Sequence, residues 1–255
     1  MQRRNFLLAG ASLLSAPVLA QSPKSTLTIR WLGHTSFLFT SGEMRILVNP
    51  FRPLACTKGY QKPAVDTDLV LMSSRLFDEG AIEVVPGNPK VLYQPGVYEV
   101  ESFKLQGIRT LHDTREGRRF GVNVVWRWVQ GGITLVHLGG LAVPLTDDQK
   151  ILIGQPDILF VPVGGGMKAM DGAQAVETVK ALNPKIVVPT HYRTPAADAQ
   201  CDLAAPEAFL SAFPKENLKV YPGTEISLSP NQIPKTALHV RLFTYTNFNL
   251  GTRVT

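Results

Sequence analysis

The sequence has few of the residues that usually build metal or redox sites, with two cysteines and five histidines in 255 residues. Cys56 and Cys201 lie too far apart in the chain for the cysteine spacing of a zinc finger. No Gly-x-Ser-x-Gly motif occurs, which excludes the nucleophile elbow of a serine hydrolase. Three glycines at 164–166 are not followed by Lys-Ser or Lys-Thr, so we interpret them as a tight turn rather than a phosphate loop.

The charge pattern excludes a further class of partner. Lys and Arg total 26 against 20 Asp and Glu, giving a net charge of +6, and the positive residues are scattered. The tightest cluster, Arg115, Arg118 and Arg119, has no aromatic ladder or nucleic-acid-binding motif beside it. We therefore predict a solvated basic surface and no nucleic-acid partner.

Residues 1–20 are typical of a bacterial export signal. A basic start precedes an apolar run at 6–14, and Val-Leu-Ala at 18–20 forms a small-residue cleavage site. The segment Arg-Arg-Asn-Phe-Leu at 3–7 is similar to the twin-arginine motif. The apolar run is far shorter than the ~20 residues of a membrane-spanning helix. We therefore predict cleavage, a single mature domain at 21–255, no membrane association after cleavage, and a periplasmic or secreted location.

Hydrophobic periodicity predicts a chain that is mostly β in its first half. Turn residues at 41–43 and at 131–132 predict hairpins. Helix-start and helix-stop signals appear in the second half and predict helices over 147–153, 172–182 and 206–212. This order is compatible with two β-sheets packed face to face with helices outside, although the pattern alone does not separate that arrangement from other α/β layouts.

The most informative stretch is an apolar strand that runs into the polar turn Ser-Ser-Arg-Leu-Phe-Asp-Glu at 73–79. It resembles the Ser/Thr-His-x-His-x-Asp-His motif of the metallo-β-lactamase superfamily, whose last residues ligate one or two zinc ions. Ser74, Leu76 and Glu79 occupy the positions of the histidines in that motif, while Asp78 matches its aspartate. The sequence thus keeps the frame of the motif and loses most of its ligands.

Other segments similar to this superfamily recur along nearly the whole mature chain. Leu-Gly-His-Thr-Ser-Phe at 32–37 is similar to the opening of the branch that contains ascorbate-6-phosphate-lactonase-like hydrolases. Further similar segments lie at 48–51, 98–100, 107–113, 137–141, 160–165 and 188–193. The resemblance implies an α/β (α+β, four-layer) fold class, an αββα sandwich of two mixed β-sheets flanked by helices. It says less about the reaction, because function depends on the site rather than on the fold.

The resemblance also implies which positions would hold metal. The first zinc would take the residues at 74, 76 and 112, of which only His112 is a histidine. The second would take Asp78, Glu79 and His191, and Gly140 occupies the position of the aspartate that bridges both ions. A lone imidazole does not hold zinc in its four-coordinate geometry. We therefore predict that the first site is lost and that His112 is an orphan ligand.

Two interpretations of the second site stay open. Asp78, Glu79 and His191 would suit a single Zn²⁺, Mn²⁺ or Fe²⁺ with an open water position. In the other interpretation, which we favour because the bridging group is gone, Asp78 caps the turn and Glu79 is a solvated surface acid.

These interpretations lead to two functional hypotheses. The preferred one is a weak or non-catalytic binding protein that holds a small molecule or a protein in the former cleft. The alternative is a single-metal hydrolase of an ester, lactone or phosphoester that uses the residues of the second site. The expected cofactor is accordingly none or one divalent metal, zinc before others.

Several residues are expected to line the former cleft: His34, Asn49, Ser74, Gly140 and Tyr192. His34 either faces the site or is satisfied by a backbone carbonyl. Asn49 occupies the position of an aspartate that orients a ligand histidine in the family, and an amide is less costly to bury than a carboxylate that has lost its cation.

The remaining candidates have a structural interpretation or several alternatives. His137 is expected to be structural, and Leu76 is expected to fill part of the former cavity. Cys56 and Cys201 follow strand ends on the rim that carries the site in this fold, so they could form a disulfide. They could also stay free, which we favour because loop length does not fix their separation, or Cys201 could ligate metal beside His191.

Overall fold

A computed structural model describes residues 26–245, so the predicted export signal at 1–20 lies outside the described residues. The strands are, in chain order, β1 (Leu27–Gly33), β2 (Ser36–Ser41), β3 (Met44–Val48), β4 (Leu69–Leu71), β5 (Lys90–Leu92), β6 (Gly96–Val100), β7 (Phe103–Leu111), β8 (Val122–Gln130), β9 (Ile133–His137), β10 (Ile158–Pro162), β11 (Ile186–Thr190), β12 (Leu218–Tyr221), β13 (Glu225–Leu228) and β14 (His239–Phe243). The helices are α1 (Asp147–Ile153), α2 (Gly172–Leu182) and α3 (Glu207–Leu210).

The strands form two mixed sheets. One sheet has six strands in the order β13-β1-β2-β3-β4-β5, and the other has eight in the order β12-β14-β11-β10-β9-β8-β7-β6. The predicted hairpins at 41–43 and 131–132 are confirmed, since β2 pairs with β3 and β8 pairs with β9 in antiparallel fashion. The strand β6 forms a further antiparallel hairpin with β7, and its residues are largely exposed.

The main core lies between the two sheets. Alternate residues of β2 point to opposite faces, so Phe37 and Phe39 enter the inter-sheet core while Leu38 points outward. The Phe39 ring lies edge-on to Trp128 at 5.0 Å and to Phe160 at 5.2 Å between ring centroids. Burying each such side chain contributes about 1.5–3 kcal/mol, and these contacts hold the sheets in a fixed relation.

The outer faces of the two sheets are covered differently. Helices α1 and α2 pack against the eight-stranded sheet at β7 and β10. On the six-stranded sheet, Leu38, Leu47 and Val70 form a second apolar cluster that contacts the short 3₁₀ helix Ile82–Val84. The predicted sandwich of two mixed sheets is therefore confirmed, with a 3₁₀ helix and loops rather than a long helix over this apolar cluster.

Capping residues set the helix bounds. Thr146 Oγ1 accepts a hydrogen bond from Gln149 N at 3.3 Å, and Asp171 Oδ1 accepts one from Gln174 N at 2.8 Å, each cap being worth about 1 kcal/mol. Both helices have the predicted bounds, whereas α3 is shorter than predicted. Within residues 26–245, no helix is long and apolar enough to span a bilayer.

Cys56 and Cys201 form a disulfide, with their Cα atoms 4.7 Å apart. The preference for free thiols was wrong, and the bond also removes the Cys201 thiol as a metal ligand. The two loops dock closely: Gly59 N donates to Ala196 O at 2.8 Å, and a Cβ on Gly59 would lie 2.8 Å from the Ala196 Cα. Docking of the two loops, rather than the length of either, brings the sulfur atoms together.

Candidate metal centre

The candidate residues come from the ends of strands that meet on one rim of the sandwich. His34 lies between β1 and β2, Asn49 follows β3, and residues 73–79 follow β4. In the larger sheet, His112 follows β7 and His191 follows β11. A rigid sheet thus delivers side chains distant in sequence to one place.

Three of these residues have left-handed backbone conformations. His34, Asn49 and His191 have φ angles of 54°, 52° and 52°. Non-glycine residues rarely adopt positive φ, and such conformations cluster at functional sites. Each conformation turns the chain sharply at a strand end.

His34, Asp78 and His191 form the group that best suits a metal ion. One potential ligand atom from each residue lies within 4.8 Å of the others. The ring nitrogens of both histidines are buried and lack a hydrogen-bond partner among the described residues. Ligands around one zinc ion are roughly 3.5 Å apart, given bonds of about 2.0–2.2 Å. Small side-chain movements would bring these atoms to that spacing.

Burial keeps both imidazoles in the neutral form that ligates metal. Burial lowers the pKa of His34 to about 4, against the opposing effect of the Asp78 charge. The pKa of His191 is lowered well below its usual value by burial and by the neighbouring His34 and Lys168. Neutral imidazole has a free lone pair, so neither residue has to lose a proton before binding metal near neutral pH.

Lys168 is the nearest cation to this group, and no sequence motif marked it. Its ammonium forms an ion pair with the Asp78 carboxylate. Burial raises the pKa of Asp78, but the combined lowering by Lys168 and His34 is larger, so the net shift of the pKa is downward. Asp78 therefore stays ionised and has a cationic partner.

Glu79 has a different partner from the one the family pattern implied. Its Oε2 accepts hydrogen bonds from Ser74 Oγ at 2.9 Å and from His112 Nε2 at 2.7 Å. Glu79 Oε1 lies 3.6 Å from His191 Nδ1. Glu79 is completely buried, so the interpretation of this residue as a solvated surface acid was wrong.

His112 completes this buried cluster rather than remaining an orphan. Burial lowers its pKa, but the charge of Glu79 and their hydrogen bond raise it, and the net shift is upward. The upward shift favours the protonated form of His112, and in that form its charge and that of the Glu79 carboxylate offset each other's desolvation.

Gly140 leaves the space into which the His112 ring fits. A Cβ at this position would lie 2.2 Å from His112 Cε1 and 2.8 Å from Glu79 Oε1. The position of the bridging aspartate is therefore filled by the imidazole of His112. A bridging side chain cannot return here unless that ring moves.

Asn49 anchors the turn at residues 73–79. Its Oδ1 accepts a hydrogen bond from Ser73 N at 2.7 Å, whereas its buried Nδ2 has no partner among the described residues. The amide thus keeps the acceptor function of a carboxylate without its charge.

The other predicted residues fall outside this group. His137 is structural as expected, since Nε2 contacts the Thr35 carbonyl at 3.0 Å and Nδ1 accepts from Gly139 N. Tyr192 packs into the core with its ring 6.2 Å from Trp31, so its assignment to the cleft was wrong. Leu76 is half-buried and lines an open cleft rather than filling a cavity.

That open cleft leads to Asp78 and has a volume of about 390 Å³. It is lined by the exposed apolar side chains of Leu54, Phe77 and Met167, by Phe120, and by the cations Arg119 and Lys168. Asp78 and Asp202 also line the cleft and balance the two cations, so its composition suits a small ligand with an apolar part.

The chain belongs to the beta-lactamase superfamily, whose domain model matches residues 28–191. Among curated proteins, a UPF0173 metal-dependent hydrolase of Saccharolobus solfataricus is 26% identical over 200 residues, covering 65% of this chain and 84% of its own. A second UPF0173 metal-dependent hydrolase, from Thermococcus kodakarensis, is 26% identical and covers 78% of this chain and 99% of its own.

Solved structures agree with this assignment. A metallo-β-lactamase superfamily protein of Thermotoga maritima is 31% identical with a TM-score of 0.69, covering 85% of this chain and 98% of its own. Igni18, a metallo hydrolase of Ignicoccus hospitalis, shares the fold with a TM-score of 0.60 at 18% identity and covers 80% of this chain and 99% of its own. This protein is a member of a family of metal-dependent hydrolases with the metallo-β-lactamase fold.

Proposed function

We propose that the protein is a hydrolase that uses one divalent metal held by His34, Asp78 and His191. The observation that supports this most directly is the pair of buried imidazoles whose ring nitrogens have no hydrogen-bond partner among the described residues and lie close to Asp78. A buried polar atom without a partner costs about 1–3 kcal/mol, and ligation would satisfy one such atom in each ring. Two imidazoles and a carboxylate suit Zn²⁺, Mn²⁺ or Fe²⁺.

The proposed substrate is an ester, lactone or phosphoester that enters through the cleft beside Asp78. A metal in such a site supplies Lewis acidity and a nucleophile derived from water. Lys168 is positioned to neutralise negative charge on a substrate oxygen, because its ammonium lies at the cleft wall beside Asp78. The buried His112–Glu79 pair keeps the neighbouring half of the site closed to a second ion.

A non-catalytic binding protein is the second candidate function. It is favoured by the Lys168 ammonium, which already gives Asp78 a positive partner without a metal. In that case the cleft would hold a small molecule or a protein without transforming it.

Metal content and activity separate the two candidates. We expect about one metal per chain after loading with Zn²⁺ or Mn²⁺, and metal-dependent hydrolysis of p-nitrophenyl acetate, γ-butyrolactone or bis-p-nitrophenyl phosphate. His191→Ala should abolish both, while His239→Ala, which alters a half-buried histidine of β14 outside the site, should abolish neither. A wild-type protein that retains no metal and hydrolyses none of these compounds would favour the binding protein.

We also propose twin-arginine export to the periplasm. The Cys56–Cys201 disulfide supports it, because disulfides persist in oxidising compartments. Replacing Arg3 and Arg4 by Lys should move the protein from the periplasmic to the cytoplasmic fraction. Periplasmic accumulation of that variant at the wild-type level would contradict export by this route.

A further inference from the structure

A second groove shares Phe120 with the cleft as a lining residue. It has a volume of about 690 Å³ and is open to solvent. Its lining residues include Ser74, Arg75, Tyr93, Arg109 and Phe120. The size is that of a small-molecule site rather than of a macromolecular groove.

Two arginines give this groove its charge. Arg75 and Arg109 are exposed, and neither forms a salt bridge with an acidic side chain within residues 26–245. The guanidinium of Arg75 lies 5.8 Å from the Tyr93 ring centroid, which limits its orientations. Arginine without a protein partner favours carboxylate and phosphate groups, which match its planar set of donors.

Rigid elements hold both arginines in place. Arg109 lies in β7 opposite Val124 of β8, and its carbonyl accepts a hydrogen bond from Gln149 Nε2 at 2.8 Å. Arg75 lies in the turn that the Asn49 side chain anchors through Ser73.

The groove borders the site at two residues. Phe120 lines both the groove and the cleft that reaches Asp78. Ser74 lines the groove and donates its hydroxyl hydrogen bond to Glu79. A ligand that extends past Phe120 could therefore contact the arginines and the Asp78 side of the site together.

We propose that Arg75 and Arg109 bind an oxyanion of the substrate, a carboxylate or a phosphate monoester, while the bond to be cleaved lies at His34, Asp78 and His191. The substrate class is thus an anionic ester or lactone, with an apolar portion against Phe120 and Tyr93. This inference rests on the proposed hydrolase function for the position of the reacting bond, but the anion site itself does not depend on hydrolysis.

Equilibrium binding of non-hydrolysable probes tests the groove. Phenylphosphonate and phenylacetate represent the two anions, and benzyl alcohol is the neutral comparison, each measured by calorimetry on the full mature chain at low salt. We expect Arg75→Gln and Arg109→Gln each to weaken binding of the favoured anion about 10-fold or more, as loss of a charge-assisted hydrogen bond predicts. Arg241→Gln, in the distant strand β14, is the matched control and should leave affinity unchanged.

The outcomes separate this inference from the hydrolase proposal. The proposed anion site would be wrong if the wild-type protein bound neither anion more tightly than benzyl alcohol. It would also be wrong if Arg75→Gln, Arg109→Gln and the control Arg241→Gln all bound the anion with the same affinity. The metal-site variant His191→Ala should still bind the anion. If it does while the wild type hydrolyses nothing, the groove is supported and the hydrolase proposal fails. Circular dichroism of each variant verifies that the fold is intact.

Discussion

The two halves of the site, both built from strand ends on the same rim, contrast in how their polar groups are satisfied. In the first half, hydrogen bonds join Ser74 Oγ and His112 Nε2 to Glu79 Oε2, and Gly140 provides the space, while Glu79 Oε1 and His112 Nδ1 have no hydrogen-bond partner among the described residues. In the second half, His34 and His191 leave their ring nitrogens without partners beside Asp78. A hydrogen-bonded cluster therefore fills the first half, while the second half presents ring nitrogens that are available for ligation.

The difference shows how a strand-end cluster can hold buried polar groups without a metal ion. Substituting ligands alone would leave buried polar atoms and a cavity, both of which destabilise the fold. In this chain Glu79, at a position that resembles a ligand histidine of the superfamily, pairs with His112. When His112 is protonated, its positive charge neutralises the negative charge of Glu79 within the core.

The largest expected effect comes from breaking that ion pair. His112→Leu leaves the Glu79 carboxylate buried without its cation, so the free energy of unfolding should fall by about 3–5 kcal/mol. Urea denaturation measures the change, with His239→Leu as a control expected to lose less than about 1 kcal/mol. Replacing Glu79 by Leu as well should recover much of the loss. A loss in His112→Leu no greater than in the control would show that the pair does not stabilise the first half.

The disulfide is expected to make the next largest contribution to the free energy of unfolding. It lies beside the second half of the site, since Cys56 lines the same cleft as Asp78. Replacing both cysteines by Ser should lower the free energy of unfolding by about 2–4 kcal/mol, because the bond closes a long loop. Thermal unfolding with and without reductant provides the measurement. If reductant destabilises the wild type and the Ser variant equally, the bond has no such effect.

Gly140→Ala tests the packing of the first half. The added Cβ would lie 2.2 Å from His112 Cε1, and such overpacking costs about 1–3 kcal/mol. Gly223→Ala is the matched control, because nothing lies within 4 Å of a Cβ at that position. Equal stability of the two alanine variants would mean that the ring is free to move.

The same close approach to His112 affects an attempt to restore the family ligands. Restoring them together with Gly140→Asp should bring back two-metal binding only if His112 moves out of this space.

A smaller effect is expected from Lys168, which pairs with Asp78 in the second half of the site. Lys168→Met removes the ammonium that pairs with Asp78, so Zn²⁺ should bind about 5- to 10-fold more tightly, as expected for an ion pair worth roughly 1 kcal/mol. Competition with a chromophoric chelator measures the dissociation constant. Lys180→Met, which breaks an exposed pair with Glu177, should change nothing. Weaker zinc binding in Lys168→Met would show that the lysine supports the site instead of competing with the metal.

Acid stability follows from a residue outside both halves. Burial lowers the pKa of His137 from 6.5 to about 4, so the unfolded chain binds the extra proton first as pH falls. This contribution to stability is complete above pH 6.5 and declines by up to ~1.4 kcal/mol per pH unit down to about pH 4. Urea unfolding at several pH values should show a shallower decline over this window in His137→Gln. An unchanged slope in that variant would contradict a neutral buried His137.

Local patterns in the sequence predicted two hairpins and two helices, and the resemblance of longer segments to the metallo-β-lactamase superfamily predicted the fold. The bounds of α1 and α2 could be predicted because each capping interaction spans only three residues, as Thr146 with Gln149 illustrates. The absence of histidine at 74 and 76 is equally a property of the sequence alone. Only the tertiary structure decided that His34 joins Asp78 and His191, that Glu79 pairs with His112, and that Cys56 meets Cys201. These partners come from different strand ends and loops, so their distances depend on how the two sheets pack, and burial then selects the pairing that leaves the fewest charges unpaired.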